Sequence, residues 1–345
     1  MDPEVKNLCQ HQLVPAVQAM MSPITPQPQR LEAFQKLEQF KRESPVSVQC
    51  GLALAGPPPE GAWPVDPSLR HFGLKVLEDV IKLRWNEMSL EQKVFVKDNV
   101  MRLVESVESA CPHMIKDGIS RPVVEIIKRD WPQHWPTLLA ELNQICQKGE
   151  SQTETVMLVI LRLVEDVAVF QNLEQAQRRK EIYQALTSNM EEIFQFLLQL
   201  LERHYQGYNG MKNSGNVAQA ERYCKVCQAV LNTFSAFIEW VSMNHIMAND
   251  KYLIRCLCHL LSDDSLQLNA ADCLLNIVGW KSGKAQDRMQ LLSLFGSDMM
   301  APLFQATERA NEKALDEDHY NFLKKMVQIL VELGGQVRVV CLNYI

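Results

Sequence analysis

Met190-Glu191-Glu192-Ile193-Phe194-Gln195-Phe196-Leu197-Leu198-Gln199-Leu200-Leu201 puts Met190, Ile193, Phe194, Leu197, Leu198 and Leu201 at i, i+3, i+4, i+7, i+8 and i+11. That spacing lines six apolar side chains along one stripe of an α-helix. The rule recurs: Leu323, Met326, Val327, Leu330 and Val331 follow it, and Val226, Val230, Phe234, Phe237 and Val241 do so more loosely. Period-two alternation is not sustained anywhere, so no sheet is expected. With 14 Gly and 16 Pro among 345 residues, turn formers are too few for a sandwich or barrel, while 47% hydrophobic residues suffice for an extended core. The expected fold class is all-α.

The helical segments are separated by short, punctuated breaks. Ser22 to Pro28 divides a first helix (about 3–21) from a second (about 29–43), and Pro57-Pro58-Pro59, Trp131-Pro132, Lys148-Gly149-Glu150, Gly207 to Gly215, Lys281-Ser282-Gly283 and Gly296-Ser297 mark the others. Paired helices recurring every ~40–47 residues are the pattern of HEAT-type repeats, in which each hairpin buries its stripe by stacking on the next. The expected architecture is therefore a single right-handed α-solenoid over 1–345, of about seven to eight HEAT-type hairpins. Residues 56–67, with an isolated Trp63, and residues 206–217 read as exposed, mobile loops. A bundle of two compact domains is the structural alternative, although no linker composition marks a boundary.

With 35 Lys and Arg against 41 Asp and Glu, the net charge of −6 excludes a uniformly basic nucleic-acid coat. No apolar segment follows Met1-Asp2-Pro3-Glu4-Val5-Lys6 as a signal peptide requires, and Val156 to Leu161 is far short of a membrane span. Ten Cys without framework spacing read as reduced thiols. A soluble intracellular protein is expected.

Enzyme and metal motifs are scarce. Gly279 to Lys284 resembles a phosphate loop only faintly, since its glycines are one residue too close and Ala285 stands where Ser or Thr would bind Mg²⁺. Cys224, Cys227, Cys256, Cys258 and His259 could in principle hold zinc, but they lie within helical apolar patterns where Cys acts as a small hydrophobe. The adjacent acids Glu165-Asp166, Glu191-Glu192 and Asp263-Asp264 diverge by ~100° on a helix and read as solvated faces or caps. The basic groups Lys41-Arg42, Lys128-Arg129, Arg178-Arg179-Lys180 and Lys281, Lys284, Arg288 read as helix-end charges unless several line one concave surface. No catalytic and no metal-binding residue is assigned.

Trp131-Pro132-Gln133-His134-Trp135-Pro136 is the most unusual hexapeptide. Each proline disfavours helix at the residue before it, so the segment should end the helix through Ile126 and Ile127, with Pro136 in the first turn of the next. A packing corner built on Trp131, Pro132, Trp135 and Pro136 is preferred to a platform for stacked bases.

Two stretches also carry a resemblance. His71 to Ser89 resembles the second-hairpin signature of importin-β-type transport receptors, and Lys128-Arg129-Asp130 with the Trp-Pro corner resembles the exportins. Gly149 to Glu154 and Trp240 to Ile246 are similar to the branch that carries hairpin RNA, and the likeness covers essentially the whole chain. The resemblance implies a nuclear export receptor, not an enzyme, that shuttles between nucleus and cytoplasm. Implied partners are Ran-GTP, double-stranded RNA cargo (microRNA precursor hairpins and tRNA) and nucleoporins. No membrane insertion, no sequence-specific DNA binding and no cofactor are expected, the GTP being carried by Ran. Ran would lie against the polar stripe of helices around 69–85, 119–129 and 153–169, which selects Arg70, Lys75, Glu78, Lys82, Glu125, Lys128, Arg129, Glu165 and Asp166. Family members are several times longer, and the RNA-reading repeats would lie beyond Ile345, so the chain reads as a shortened form with weakened cargo binding and a sticky last hairpin. A HEAT scaffold that binds proteins without a nucleotide switch is the alternative.

Overall fold

Asp2 and Pro3 start the first helix for reasons visible in their chemistry. The Asp2 carboxylate accepts from the Glu4 amide at 2.8 Å, and Pro3 occupies the first turn, where its missing N–H is no loss. The computed structural model describes residues 2–169, 176–280, 285–311 and 316–343. Among these residues every regular element is helical and no strand forms. The all-α, HEAT-type reading of the sequence is thus met. The chain divides into two compact units, Met1–Leu163 and Val164–Ile345.

In the first unit, α1 (Pro3–Leu8), a π-turn (Cys9–Leu13) and α2 (Val14–Met21) form one arm against α3 (Gln27–Glu43). Next come α4 (Ser47–Ala55) with α5 (Pro67–Arg84), α6 (Leu90–Glu105) with α7 (His113–Asp130), and α8 (Leu138–Cys146) followed by α9 (Glu150–Val164). The second unit continues with a π-turn (Glu165–Val169), α10 (Ala176–Ser188) and the long hairpin α11 (Met190–Asn213) and α12 (Val217–Ile238). It ends with α13 (Met243–Ile246) and α14 (Ala248–Leu260) beside α15 (Gln267–Val278), then α16 (Ala285–Leu292) and α17 (Ser297–Asn311) beside α18 (Glu317–Asn343).

Within each unit, the second arms of successive hairpins lie side by side and parallel. Arg129 reaches the Lys82 carbonyl across 47 residues, and Arg162 reaches Ser120 across 42. Cys273 reaches the Leu231 carbonyl across 42, and Asn276 reaches Ser235 across 41. These separations are the repeat length, expressed as contacts. Between α15 and α18 the separation grows to 58, because both α16 and α17 are threaded into that interval. Within a hairpin the approach is closest at α4 and α5. A Cβ on Gly73 would meet the Ala55 nitrogen at 2.6 Å and the Gly51 carbonyl at 2.7 Å, so only hydrogen fits there.

The apolar stripes of α11 and α12 fall as the sequence indicates: Met190, Ile193, Phe194, Leu197 and Leu201 are buried, as are Val226, Val230, Phe234, Phe237 and Val241. The face of α18 is rotated from expectation. Phe322, Met326, Ile329 and Leu333 are buried there, while Val327 and Val331 are 57% and 67% exposed. Apolar residues surround much of that helix, so its packing partners and not its pattern choose the buried side.

Neither expected loop is simply a loop. Residues 56–66 are irregular, but Ala62 and Trp63 are buried in the first unit's core against Val5, Leu13, Leu54 and Phe72. Residues 206–213 are helical and close α11. Gly207 does not break the helix because it is where α11 lets the Tyr223 ring approach; a Cβ would meet that ring at 2.8 Å. Tyr208 is buried, its hydroxyl 3.2 Å from Ser265 Oγ. The actual turn is Ser214 to Asn216, with Gly215 at φ +75°, a conformation that glycine adopts without steric strain. The expected break at Lys281-Ser282-Gly283 lies outside the described residues.

Candidate protein-binding face

The polar stripe picked from sequence lies mostly on α5 and α7, which the Asp66 cap and the parallel stacking hold in register. Asp66 accepts from the Ser68 amide at 2.8 Å and starts α5. Lys75 pairs with Glu78 at 3.2 Å and with Asp79 at 3.1 Å. Asp79 in turn receives the buried Lys41 of α3 at 2.9 Å, and Glu38 joins Lys41 at 2.5 Å. Lys82 is exposed, and its carbonyl accepts from Arg129 at 2.9 Å. Arg129 also pairs with Glu125 at 2.6 Å, and Lys128 with Glu125 at 2.5 Å. Lys75 and Glu78 on α5, and Glu125, Lys128 and Arg129 on α7, therefore form two ion-paired groups on adjacent helices, joined where Arg129 reaches the Lys82 carbonyl.

Not every selected residue can greet a partner. Glu125 and Lys128 are buried, each satisfying the other. Burial pushes the Glu125 carboxyl up, but hydrogen bonds and charge from Lys128 and Arg129 outweigh it and hold the group below the usual carboxylate range. Burial likewise opposes the charge on Lys75, and Glu78 and Asp79 reverse that, raising it above the ordinary lysine value. Arg70 turns inward, donating to the Ala55 carbonyl at 3.1 Å, so it braces α5 on α4. Glu165 and Asp166 lie in the π-turn that follows α9, in the second unit, and each has an interaction partner. The exposed part of the face is thus Lys82, with Lys75 half-buried beside it, while the side chains of Glu78 and Arg129 are only 14% and 22% exposed.

Sequence reading missed the ionic contacts between α7 and α9. Lys116 and Glu154 form a buried pair at 2.6 Å, with His113 Nδ1 3.2 Å from the same carboxylate. Arg162 of α9 pairs with Asp117 of α7 and reaches Ser120 Oγ at 3.3 Å, and Arg121 closes on Asp117 at 3.0 Å. The one signal that could have found them is opposite charges about one repeat length apart.

Trp131 and Trp135 are 2% and 1% exposed, so their faces are not open to bases. Trp131 ends α7, and the neighbouring Asp130 accepts from Nε1 of Trp85, the residue that follows α5, at 2.9 Å. The ammonium of Lys97 lies 5.2 Å from the Trp135 ring centre, a cation–π contact. Pro132 and Pro136 frame the turn that sends the chain into α8. Basic residues elsewhere are tied up in similar fashion: Lys41 as above, and Arg178 with Glu181 at 2.9 Å.

The thiols behave as core groups. Cys224, Cys227 and Cys258 are buried, and burial pushes the Cys224 thiol up to about 11 and Cys258 up to about 12. His259 instead packs edge-on against Tyr205 at 5.7 Å. Among the described residues no group of three or more His, Cys, Asp or Glu could hold a metal ion. Lys281 to Lys284, the body of the phosphate-loop lookalike, and the side chain of Arg288 lie outside the described residues. Among the described residues no helix is long and apolar enough to cross a membrane.

Comparison with known proteins follows the same helices. The family described as Exportin 1-like protein matches residues 112–274, from α7 into α15. The chain is 45% identical over 340 residues to Exportin-5 of Homo sapiens, covering 97% of this chain and 27% of that protein. It is 45% identical over 336 residues to Exportin-5 of Mus musculus, covering 96% and 27%. Protein HASTY 1 of Arabidopsis thaliana is 24% identical over 274 residues, covering 77% and 22%. The chain spans about a quarter of the length of these relatives.

Proposed function

The chain is related to the exportins along nearly its whole length, and from that premise we propose that it serves nuclear export as a receptor segment that binds Ran-GTP. The observation that supports this reading is the 45% identity to Exportin-5 over 97% of the chain. The face of α5 and α7 suits such a partner: Lys75, Glu78, Lys82 and Arg129 offer both signs of charge on a rigid, parallel pair of helices. Such balanced surfaces favour orientation and partner choice over raw affinity. Nothing on this face needs to react. In this reading GTP stays on Ran, and the chain's part is to hold one nucleotide state of Ran better than the other.

Cargo binding then follows by linkage, since a receptor whose affinity for cargo rises with Ran-GTP must raise the affinity for Ran-GTP by the same factor. The proposed cargo is double-stranded RNA, microRNA precursor hairpins and tRNA among it, with passage between nucleus and cytoplasm past nucleoporins. With a net charge of −6 and many cations already ion-paired, RNA contact by this chain alone should be weak and fall steeply with salt.

The test is a pulldown of the chain with Ran loaded either with a nonhydrolysable GTP analogue or with GDP. Retention of the GTP form alone is expected, and Lys82→Glu with Lys75→Glu should reduce it by roughly tenfold or more. Equal retention of both forms, or of neither, would sink the reading and leave a scaffold without a nucleotide switch.

A further inference from the structure

The second unit carries a small aromatic cavity that the ionic face of α5 and α7 does not use. It measures about 230 Å³ and is lined by Leu201, Glu202 and Tyr205 of α11 and by Tyr252, His259 and Leu260 of α14. Leu201 and Leu260 are buried and form its floor, Tyr205 and Tyr252 are half-buried, and His259 is exposed. The rings of Tyr205 and His259 meet at 87° with centroids 5.7 Å apart, as two walls of a corner. Sites for drug-sized ligands run to ~300–1,000 Å³, so this one takes the end of a side chain or a headgroup.

Charge at the mouth selects the sign of the ligand. Arg255 also lines the cavity, but its guanidinium is paired with Asp250. Asn249, Asp250 and Lys251, at φ 50°, 54° and 57°, form a left-handed run at the start of α14, which residues other than glycine adopt only at a cost. That run carries the Asp250 carboxylate to Arg255. Glu202, by contrast, is exposed and has no ion pair among the described residues. The cavity thus meets an occupant with a neutralised cation, an open carboxylate and ring faces. Aromatic faces attract a cation within about 6 Å of the ring centre, and the leucine floor favours one clad in methyl groups.

We propose that this cavity is an aromatic cage for the trimethylated side chain of a lysine on a protein partner, with Tyr205, Tyr252 and His259 as walls and Glu202 as the counter-charge. An unmodified lysine is a compact, strongly hydrated ammonium and must shed more water to enter. The rim favours a peptide over a lipid surface. Gln199 and Gln206 are exposed beside the lining positions of α11; a bilayer would strip them of water, whereas a peptide backbone can hydrogen-bond to them.

The experiment titrates the full 345-residue chain with amino acids capped as N-acetyl N-methylamides, followed by ligand-observed NMR. The probes are trimethyllysine, unmodified lysine, the uncharged isostere with carbon in place of the ammonium nitrogen, and phenylalanine. Trimethyllysine should bind about tenfold more tightly than any of the others. Tyr252→Ala should weaken it by about tenfold and Glu202→Gln by a smaller factor, with circular dichroism unchanged. If Tyr252→Ala fails to fold, Glu202→Gln and the isostere comparison decide. Phosphatidylcholine vesicles, which present the same quaternary ammonium, should not sediment with the chain. Equal affinity for the lysine, isostere or phenylalanine probe, no saturable trimethyllysine signal, indifference to the substitutions, or co-sedimentation with the vesicles overturns the proposal.

Discussion

The two units join their parallel helices by different chemistry. In the first, neighbouring second arms are linked largely by charge: Lys41 to Asp79, Lys116 to Glu154, Arg162 to Asp117. In the second, neutral groups do most of the same work: Asn232 with Asn269 at 2.9 Å, Ser235 with Asn276 at 2.9 Å, and Gln336 with the Val278 carbonyl at 3.0 Å, with Lys325 and Asp272 as an ionic exception. One stacking geometry therefore accepts either solution. The difference lies in what breaks each of them. A buried charge that loses its partner is strongly destabilising, whereas a partly exposed amide that loses its partner turns to water.

The largest effect should come from Glu154→Ala, which strands the Lys116 ammonium at 5% exposure. A loss of about 3–5 kcal/mol is expected, read from urea unfolding. If the loss were no greater than that of a surface substitution, the ionic contact would not be what joins α7 to α9. Asn276→Ala in the second unit should be milder, about 1 kcal/mol, and the contrast between the two variants is the comparison in numbers.

The smallest effect concerns acid. Burial pushes the Asp117 carboxyl up, but hydrogen bonds and charge from Arg121 and Arg162 outweigh it and hold it below the usual range. A carboxyl depressed on folding stabilises the protein above its unfolded value, near pH 4, and that contribution disappears as pH falls through the native value. Asp117→Asn should therefore flatten the acid side of the stability profile, followed by circular dichroism during titration, and Asn276→Ala should leave its shape unchanged. The effect is modest because water screens this partly exposed group.

How much of this was legible depends on the distance over which each feature is decided. The end of α7 at Trp131 was readable because proline acts on its immediate neighbour. The repeat length was readable because helical hairpins of this kind must recur to bury their stripes. Trp63 was misjudged for the opposite reason: a Pro-rich stretch looks like a solvent loop until Val5, Leu54 and Phe72 are known to pack in one core with the ring. Gly207 and Gly210 suggested a break, but a glycine inside a helix can equally mark a close approach, and only Tyr223 shows which. The candidate face divided in the same way. Lys75, Glu78 and Lys82 are on a polar stripe that periodicity reveals, whereas the burial of Glu125 and Lys128 depends on neighbouring helices.

The amino-acid order by itself determined that the chain is helical, where most helices start and stop, and that they pair at a regular interval, because propensity, capping and periodicity act within a few turns of the chain. Tertiary structure alone decided which side of α18 is buried, which charges meet across helices, and that Cys9 and Cys50 share one core. Those outcomes depend on contacts between residues some forty or more positions apart, and no local rule carries information over that span.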